Sequence, residues 1–465
     1  MSYQNASENR FLTAPLGRLF AANALPMMFI MLMSGLLTVV DAAFLGHFVG
    51  ADALAAVSLV FPILMVTIAL STLVSGGMSS LLARHLGAKR HADAMAVFAQ
   101  AHGLALFLSL LLIVTFAACG GFVISQLSGS QPDIARMAYT YLAIMILASP
   151  VQLLLGVHAD AWRNEGRAGL MALMSVGVTL ANIVLNYVLI VPFNMGVAGS
   201  ALGTAIAQGT GLALLVGLRS RGAGVLRISG LRTSRWIGGW RPMLALGAPV
   251  SLSFIGIALV SATVIATLRL TAGSGYVESV AAYGIVTRIL SFTFLPLMAI
   301  ALATQTIVGN NFGARLYLRS DAVLRLALAV AFVYCAGVEV TLLIGRNWIG
   351  GVFVTDPVVV VQVGKILVPM LSLYALAGPV LVLALYFQAI GKPGRTAALT
   401  LVKPFVLSPL LLAALGFTLG AKAIWFAFPL ADGIIVAIAL VTAITSQSQR
   451  TTTTGVGPSQ AGQTP

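Results

Sequence analysis

Apolar residues run through this chain in stretches of about twenty, each interrupted by short polar segments. The first, FAANALPMMFIMLMSGLLTVV, fills residues 20–40 without a single charge. A helix of ~20 apolar residues crosses a bilayer core, whereas a membrane β-barrel would show shorter segments of alternating polarity. Twelve spans are predicted, at residues 19–45, 52–82, 94–119, 134–159, 168–191, 196–218, 243–270, 279–308, 322–345, 362–390, 397–416 and 422–446. The expected fold class is all-α polytopic membrane protein, with both chain ends on one side.

The pattern also repeats. GADALAAVSLVFPI (50–63) aligns with YVESVAAYGIVTRI (276–289) at an offset of 226, and LGAKRHADA (86–94) with FGARLYLRSDA (312–322), given a two-residue insertion. Two six-helix lobes of the same in/out sense imply a pseudo-twofold axis along the membrane normal, an arrangement that secondary transporters use to place a site between lobes. The predicted organisation is an N-terminal segment 1–18, a first lobe 19–218, a basic linker 219–241, a second lobe 242–446 and a disordered tail 447–465.

Composition adds the solvent. The chain has 465 residues, 59% of them hydrophobic and 8% charged, with a mean hydropathy of +1.01. Soluble domains carry about 25% charged residues, so this chain belongs in lipid. The net charge of +14 is spread over short loops and does not call for a nucleic-acid partner. With the ends inside, 19 of the 26 Lys and Arg fall on the cytoplasmic side, which fixes the expected orientation. Six of the Arg sit in the linker, read as a plain basic loop at the membrane surface. Cys119 and Cys335 lie in apolar segments, so no disulfide framework is expected. No cleavable leader pattern precedes the first span, which is expected to be retained.

Polar groups inside spans carry the candidate chemistry, because a buried carboxylate costs roughly 2.5–3.5 kcal/mol of insertion free energy. Asp41 lies near the outer end of the first span, on one stripe with Ser34 and Thr38. Asn182 and Asn186 share a face of the fifth span, and Thr204, with Gln208 one turn below, lies on the sixth. Asp41, Asn182, Asn186 and Thr204 fall at ~7–14 Å below the outer surface by helical rise. One carboxylate, two carboxamides and a hydroxyl at one depth can form a single site, or can be separate helix-packing hydrogen bonds. Asp160 reads as interfacial. Glu339 reads as a secondary coupling candidate or as a structural partner of Arg346. Asp432 stands equally between coupling and structural pairing. Ser34, Thr38, Tyr139, Gln208, Met31, Phe61 and Met65 are candidate walls of a substrate cavity, with Met27, Met28, Met33 and Phe44 as further apolar lining.

The residues around Asp41 carry a resemblance. Pro26 in ALP, VDAAFLGHFVGADALAAVSLVFP and ARHLGAK resemble the opening of a MATE-family multidrug exporter, and LANIVLNYVLIVPFNMGVAGSALGTAIAQ is similar to its fifth and sixth helices. AAYGIVTRI and ATQTIVGNNFGA resemble the second-lobe counterparts. The resemblance implies two six-helix lobes and export of lipophilic cations by antiport with H⁺ or Na⁺, from a bacterial plasma (inner) membrane, by a monomer with no cofactor and no metal. It gives Asp41 the coupling role, Pro26 that of a hinge, and Asn182, Asn186 and Thr204 cation-site positions. Asn186 stands where some members carry Asp, and the seventh and tenth spans lack the acids of the NorM-like branch. Those departures favour the DinF-like or MepA-like branch and H⁺ over Na⁺, since hard cations want charged oxygen ligands.

Two other classes fit the sequence less well. A lipid or glycolipid flippase of related architecture would need cations inside the cavity, for which Arg288 and Lys403 are the candidates. A membrane enzyme is not expected, because the five His show no metal-ligand spacing and no phosphate-binding glycine loop is present.

Overall fold

The computed structural model describes residues 9–128, 131–222 and 224–454. All regular structure among them is helical. The spans are α1 (Leu16–Val49), α2 (Ala51–Gly87), α3 (His91–Ser128), α4 (Pro132–Leu147 then Ser149–Asn164), α5 (Ala168–Ile190) and α6 (Gly196–Ser220). The second set is α7 (Trp240–Thr271), α8 (Tyr276–Gly313), α9 (Tyr317–Gly345), α10 (Pro357–Leu371 then Tyr374–Ala389), α11 (Pro393–Leu419) and α12 (Ala427–Thr454). Ten are continuous. In α4 and α10 two half-helices meet at 46° and 50°. Pro150 lies one residue past the α4 bend and lacks the N–H that would carry the ladder across it.

Each lobe holds two apolar cores, here termed inner for the one at the end that carries the chain termini and outer for the one at the opposite end, and α1 and α7 cross between lobes. Leu19, Phe20, Ala24 and Met27 on the first half of α1 pack into the inner core of the second lobe, with Ile307, Val323 and Phe387. Leu45, at the far end of the same helix, packs into the outer core of the first lobe with Val60 and Leu142. The exchange is mirrored by α7, whose Met243 sits in the inner core of the first lobe while Val264 and Leu268 sit in the outer core of the second. A chain cut at 218 therefore does not divide the packing: the two lobes share straps. Pro26 and Pro249 lie inside these straps, and each leaves one helix carbonyl without its donor.

The lobes meet at the end that carries the chain termini, around the repeat axis. Ser79 and Gln305, 226 residues apart, bond to each other at 3.4 Å. Beside them the contacts are reciprocal. A Cβ on Gly87 would lie 1.9 Å from the Asn310 carbonyl oxygen, and one on Gly313 would lie 2.0 Å from that of Arg84. Glycine at these two positions lets the α2 and α8 backbones touch. Gln305 Nε2 donates to Gln388 Oε1 at 2.8 Å, Gln388 Nε2 to the Leu246 carbonyl at 2.6 Å, and Arg163 Nη2 and Asn164 Nδ2 each to Ser79 Oγ at 2.8 Å. This buried polar network seals the terminus-side end of the molecule.

Three sequence expectations change here. The linker is not a plain surface loop. Residues Ile228–Thr233 form a helix, and Arg219 is 1% exposed, bonded to Glu165 Oε1 at 2.6 Å and stacked 4.4 Å over Trp162. Basic composition reports net charge and not a single buried partner supplied by α4. Second, α12 runs to Thr454, into the segment expected to be a disordered tail, because extending an existing helix costs far less than starting one. The rest of that segment, 455–465, lies outside the described residues, as do 1–8 of the N-terminal segment. Third, two of the scattered histidines meet: His102 Nε2 and His158 Nε2 are 3.1 Å apart in the first lobe.

Candidate functional site

Asp41 closes the outer half of α1, just before a π-helical turn at Leu45–Val49. Asn186 Nδ2 of α5 donates to Asp41 Oδ1 at 2.7 Å. The Asn182 amide, set so that both its polar atoms are satisfied, donates to the same oxygen at 3.0 Å and accepts from Thr204 Oγ1 of α6 at 2.9 Å. Thr204 Oγ1 also lies 3.1 Å from the Ser200 carbonyl. The four residues predicted at one depth thus form one hydrogen-bonded cluster on α1, α5 and α6. Gly203 makes it fit, since a Cβ there would lie 2.1 Å from Asn186 Oδ1. That oxygen is buried without a hydrogen-bond partner.

The other candidates are placed differently. Ser34 and Thr38 are exposed; Thr38 Oγ1 bonds the Ser34 carbonyl at 3.2 Å and does not reach the cluster. Gln208 stays apart too, with Oε1 buried and unpartnered. Tyr139 stacks on Phe116 of α3, with ring centroids 5.2 Å apart. Tyr141, turned ~200° around the same helix, is the buried α4 ring, packed in the outer core of the first lobe with Leu45 and Val60. Sequence reasoning missed it because two tyrosines in AYTYL differ only by which face is buried. Met31 is half-buried against the second-lobe inner core, Phe61 is exposed and Met65 is half-buried.

Both secondary acids have partners in the second lobe. Asp432 is ion-paired with Lys403, which sits at a π-helical turn in α11. Glu339 Oε2 accepts from the Ala375 N–H at 2.8 Å, in the first turn of the second half of α10. It meets a backbone donor that the break in α10 leaves free, and not Arg346.

Arg288 is a further charge in the outer half of its span, α8. It lies on an exposed stripe of α8 with Ala281, Ser291 and Phe292. The stripe faces α1, for a Cβ on Gly35 would lie 2.7 Å from Leu295 Cδ1 and 3.7 Å from Phe292 Cε1. Beyond that contact the helices part, α1 toward the first-lobe outer core and α8 toward that of the second. Asp41 stands six residues outward of Gly35 and Arg288 seven outward of Leu295, ~9–10 Å along each helix. A carboxylate and a guanidinium thus stand at one depth on helices that part toward different lobes, with Asp41 turned ~120° around α1 from the Gly35 face and bonded toward α5. Among the described residues no group of three or more metal-ligating side chains gathers.

Comparison with known proteins agrees with this architecture. The MatE family model matches residues 26–188 and 249–413, one stretch in each half. The chain is 25% identical over 433 residues to a FAD transporter of Shewanella oneidensis, covering 90% of this chain and 93% of that one. It is 25% identical over 392 residues to the multidrug export protein MepA of Staphylococcus haemolyticus, covering 83% and 84%. Among solved structures, an outward-facing multidrug-resistance transporter superposes with a TM-score of 0.87 at 21% identity, covering 96% of this chain and 98% of that one. A Pyrococcus furiosus transporter described as having a binding pocket of reversed polarity superposes with a TM-score of 0.86 at 21% identity, covering 95% and 98%. These likenesses to solved structures show twelve helices in two lobes.

Proposed function

The chain belongs to the MatE family of multi-pass membrane transporters, and from that premise we propose that it is a secondary multidrug exporter driven by protons through Asp41. The observation that carries the reading is the contiguous Asp41–Asn186–Asn182–Thr204 cluster that ties α1 to α5 and α6 of the first lobe. The MepA relative supports export of drugs as the activity.

The cluster couples charge to helix packing. Ionised, Asp41 accepts from both asparagines and ties α1 to α5. Protonated, it must donate through its new O–H. The unpartnered Asn186 Oδ1 is at hand, but using it requires the amides to turn. The helix so released is the strap whose inner half packs in the other lobe, and Pro26 lowers the cost of bending it. Proton entry from the open side would discharge a bound cation and rearrange the strap. Coupling is needed because moving one positive charge out against 100 mV costs about 2.3 kcal/mol. The sealed, terminus-bearing end is the cytoplasmic end in this reading. Sodium is the less favoured ion, since the cluster supplies only one anionic group.

Arg288 favours a second reading of the substrates. Lys403 is paired with Asp432, whereas among the described residues Arg288, at the depth of Asp41, has no acid within 4 Å, and the FAD transporter relative handles a phosphate-bearing molecule. Compounds that carry an anionic group beside an aromatic one would then be taken as well as lipophilic cations. Proteoliposomes test both readings. A fluorescent lipophilic cation and an anionic flavin nucleotide are each followed under an imposed pH gradient, then under an imposed Na⁺ gradient. Transport of either driven by the pH gradient supports proton coupling; transport driven by Na⁺ alone contradicts it.

A further inference from the structure

On the repeat axis, beneath the Ser79–Gln305 bond, a cavity of about 560 Å³ opens at the terminus-side surface. It is lined by Gly87, Ala88, Lys89 and Arg90 from the loop after α2, by Gly313, Ala314 and Arg315 from the loop after α8, and by Leu12. Its size lies within the range of small-molecule sites.

The cavity is two-fold in structure as well as in sequence. Lys89 and Arg315 stand 226 residues apart, each two residues beyond its helix, and both take the left-handed conformation, with φ of +58° and +62°. The same backbone turn therefore presents one cation from each lobe. Arg90 and His85 lie 3.7 and 3.9 Å from Asp93. Among the described residues, neither Lys89 nor Arg315 has an acid within 4 Å. Helix C-terminal carbonyls account for a cation near each end but not for a shared cavity between two. Like charges from two lobes facing one cavity repel when the lobes close, unless an anion lies between them.

We propose that this cavity binds a phosphate-class oxyanion, either the headgroup of an anionic lipid or free phosphate, which bridges Lys89 and Arg315 and holds the terminus-side gate shut. The two cations belong to different lobes, so the anion meets both only while Gly87 and Gly313 are seated against Asn310 and Arg84. Its binding energy then favours the sealed state over the state open at this end. The proposal leans on the transport reading only in supposing that the gate opens at all.

The test uses full-length protein in nanodiscs, with Cys119→Ser and Cys335→Ser, and spin labels at Ala92→Cys and Leu318→Cys, which are exposed positions outside the cavity. Pulsed-EPR distances are compared in phosphatidylcholine, in phosphatidylcholine with phosphatidylglycerol, and in phosphatidylcholine with inorganic phosphate against chloride at equal ionic strength. The bridging anion should raise the sealed-to-open ratio about fivefold, the low end of ordinary coupling. A response to phosphatidylglycerol alone assigns the site to a lipid headgroup, and a response to phosphate assigns it to the free ion. In either case Lys89→Gln with Arg315→Gln should abolish the response, while Lys89→Arg with Arg315→Lys should keep it. An unchanged ratio with both anions, or an equal response in the neutral variant, overturns the proposal. Absence of drug transport with the response intact counts against the transport reading alone.

Discussion

Ser79 and Gln305 occupy equivalent places in the two halves of the chain and bond to each other at 3.4 Å, so the repeat axis passes between them. Everything at the sealed end is arranged about that point. Ala83 faces Gly309, and the Gly87–Asn310 contact is returned as Gly313–Arg84. In the proposed transport cycle, opening at this end would withdraw the same surface of each lobe from its partner.

The glycines of this gate give the first prediction. Gly87→Ala or Gly313→Ala places a methyl about where a carbonyl oxygen lies, without weakening the helix, since Ala is the better helix former. Both variants should fold and insert, yet fail to seal. Transport should fall at least about tenfold, and cysteines introduced on the gate surface should become reactive from the terminus side. Normal transport with an unreactive gate would show that the backbones need not touch.

Around Asp41 the expected losses are graded. Asn186→Ala removes a charge-assisted hydrogen bond, worth roughly 1.5–3 kcal/mol, and should slow transport about 10- to 100-fold. Gly203→Ala leaves every polar group in place but drives a Cβ into Asn186 Oδ1, and should approach the Asn186→Ala rate. Initial rates in proteoliposomes check both; a parent-like Gly203→Ala would mean that the amide need not hold its place.

The Lys403–Asp432 pair should prove structural. Removing one partner strands the other charge in a half-buried site, at a cost below the roughly 3–5 kcal/mol of a fully buried pair, whereas replacing both by apolar residues is often neutral. Asp432→Asn alone should lower the yield of folded protein, and Lys403→Met with Asp432→Leu should restore yield and transport together. A double variant that folds but does not transport would move coupling into the second lobe.

For Arg288 the prediction concerns selectivity. Arg288→Gln should leave export of a lipophilic cation within about threefold of the parent and reduce export of an anionic flavin nucleotide at least about tenfold, as loss of a charge-assisted contact requires. Equal effects on both would assign Arg288 to folding or gating.

The spans and the cluster were legible because each rests on local information. Twenty apolar residues need no partner to be recognised, and Asp41, Asn182, Asn186 and Thr204 stand out singly against lipid-facing neighbours at depths that helical rise fixes. What stayed hidden depends on which distant surfaces meet. Lys403 and Asp432 sit on different helices, so the apparent isolation of Asp432 was a property of the sequence and not of the fold. Glu339 finds its donor at a helix break that no proline or glycine marks at Ser372–Leu373. Gln305 lies within a quoted motif, but a neutral side chain shows its role only once Gln388 and Ser79 are seen against it. The crossing of α1 and α7 is likewise invisible in hydropathy, since both lobes are equally apolar.

If Asp41 carries the coupling proton, binding of a cationic substrate must release that proton, and the release can be measured in solution. Purified protein in weakly buffered detergent receives saturating lipophilic cation while a pH dye is followed, beside Asp41→Asn, with binding measured separately by fluorescence anisotropy. The account predicts about one proton released per cation bound by the parent, and binding without release by Asp41→Asn. Equal release from both proteins would contradict it, and binding by the parent with no release and a dependence on Na⁺ would replace the proton with sodium.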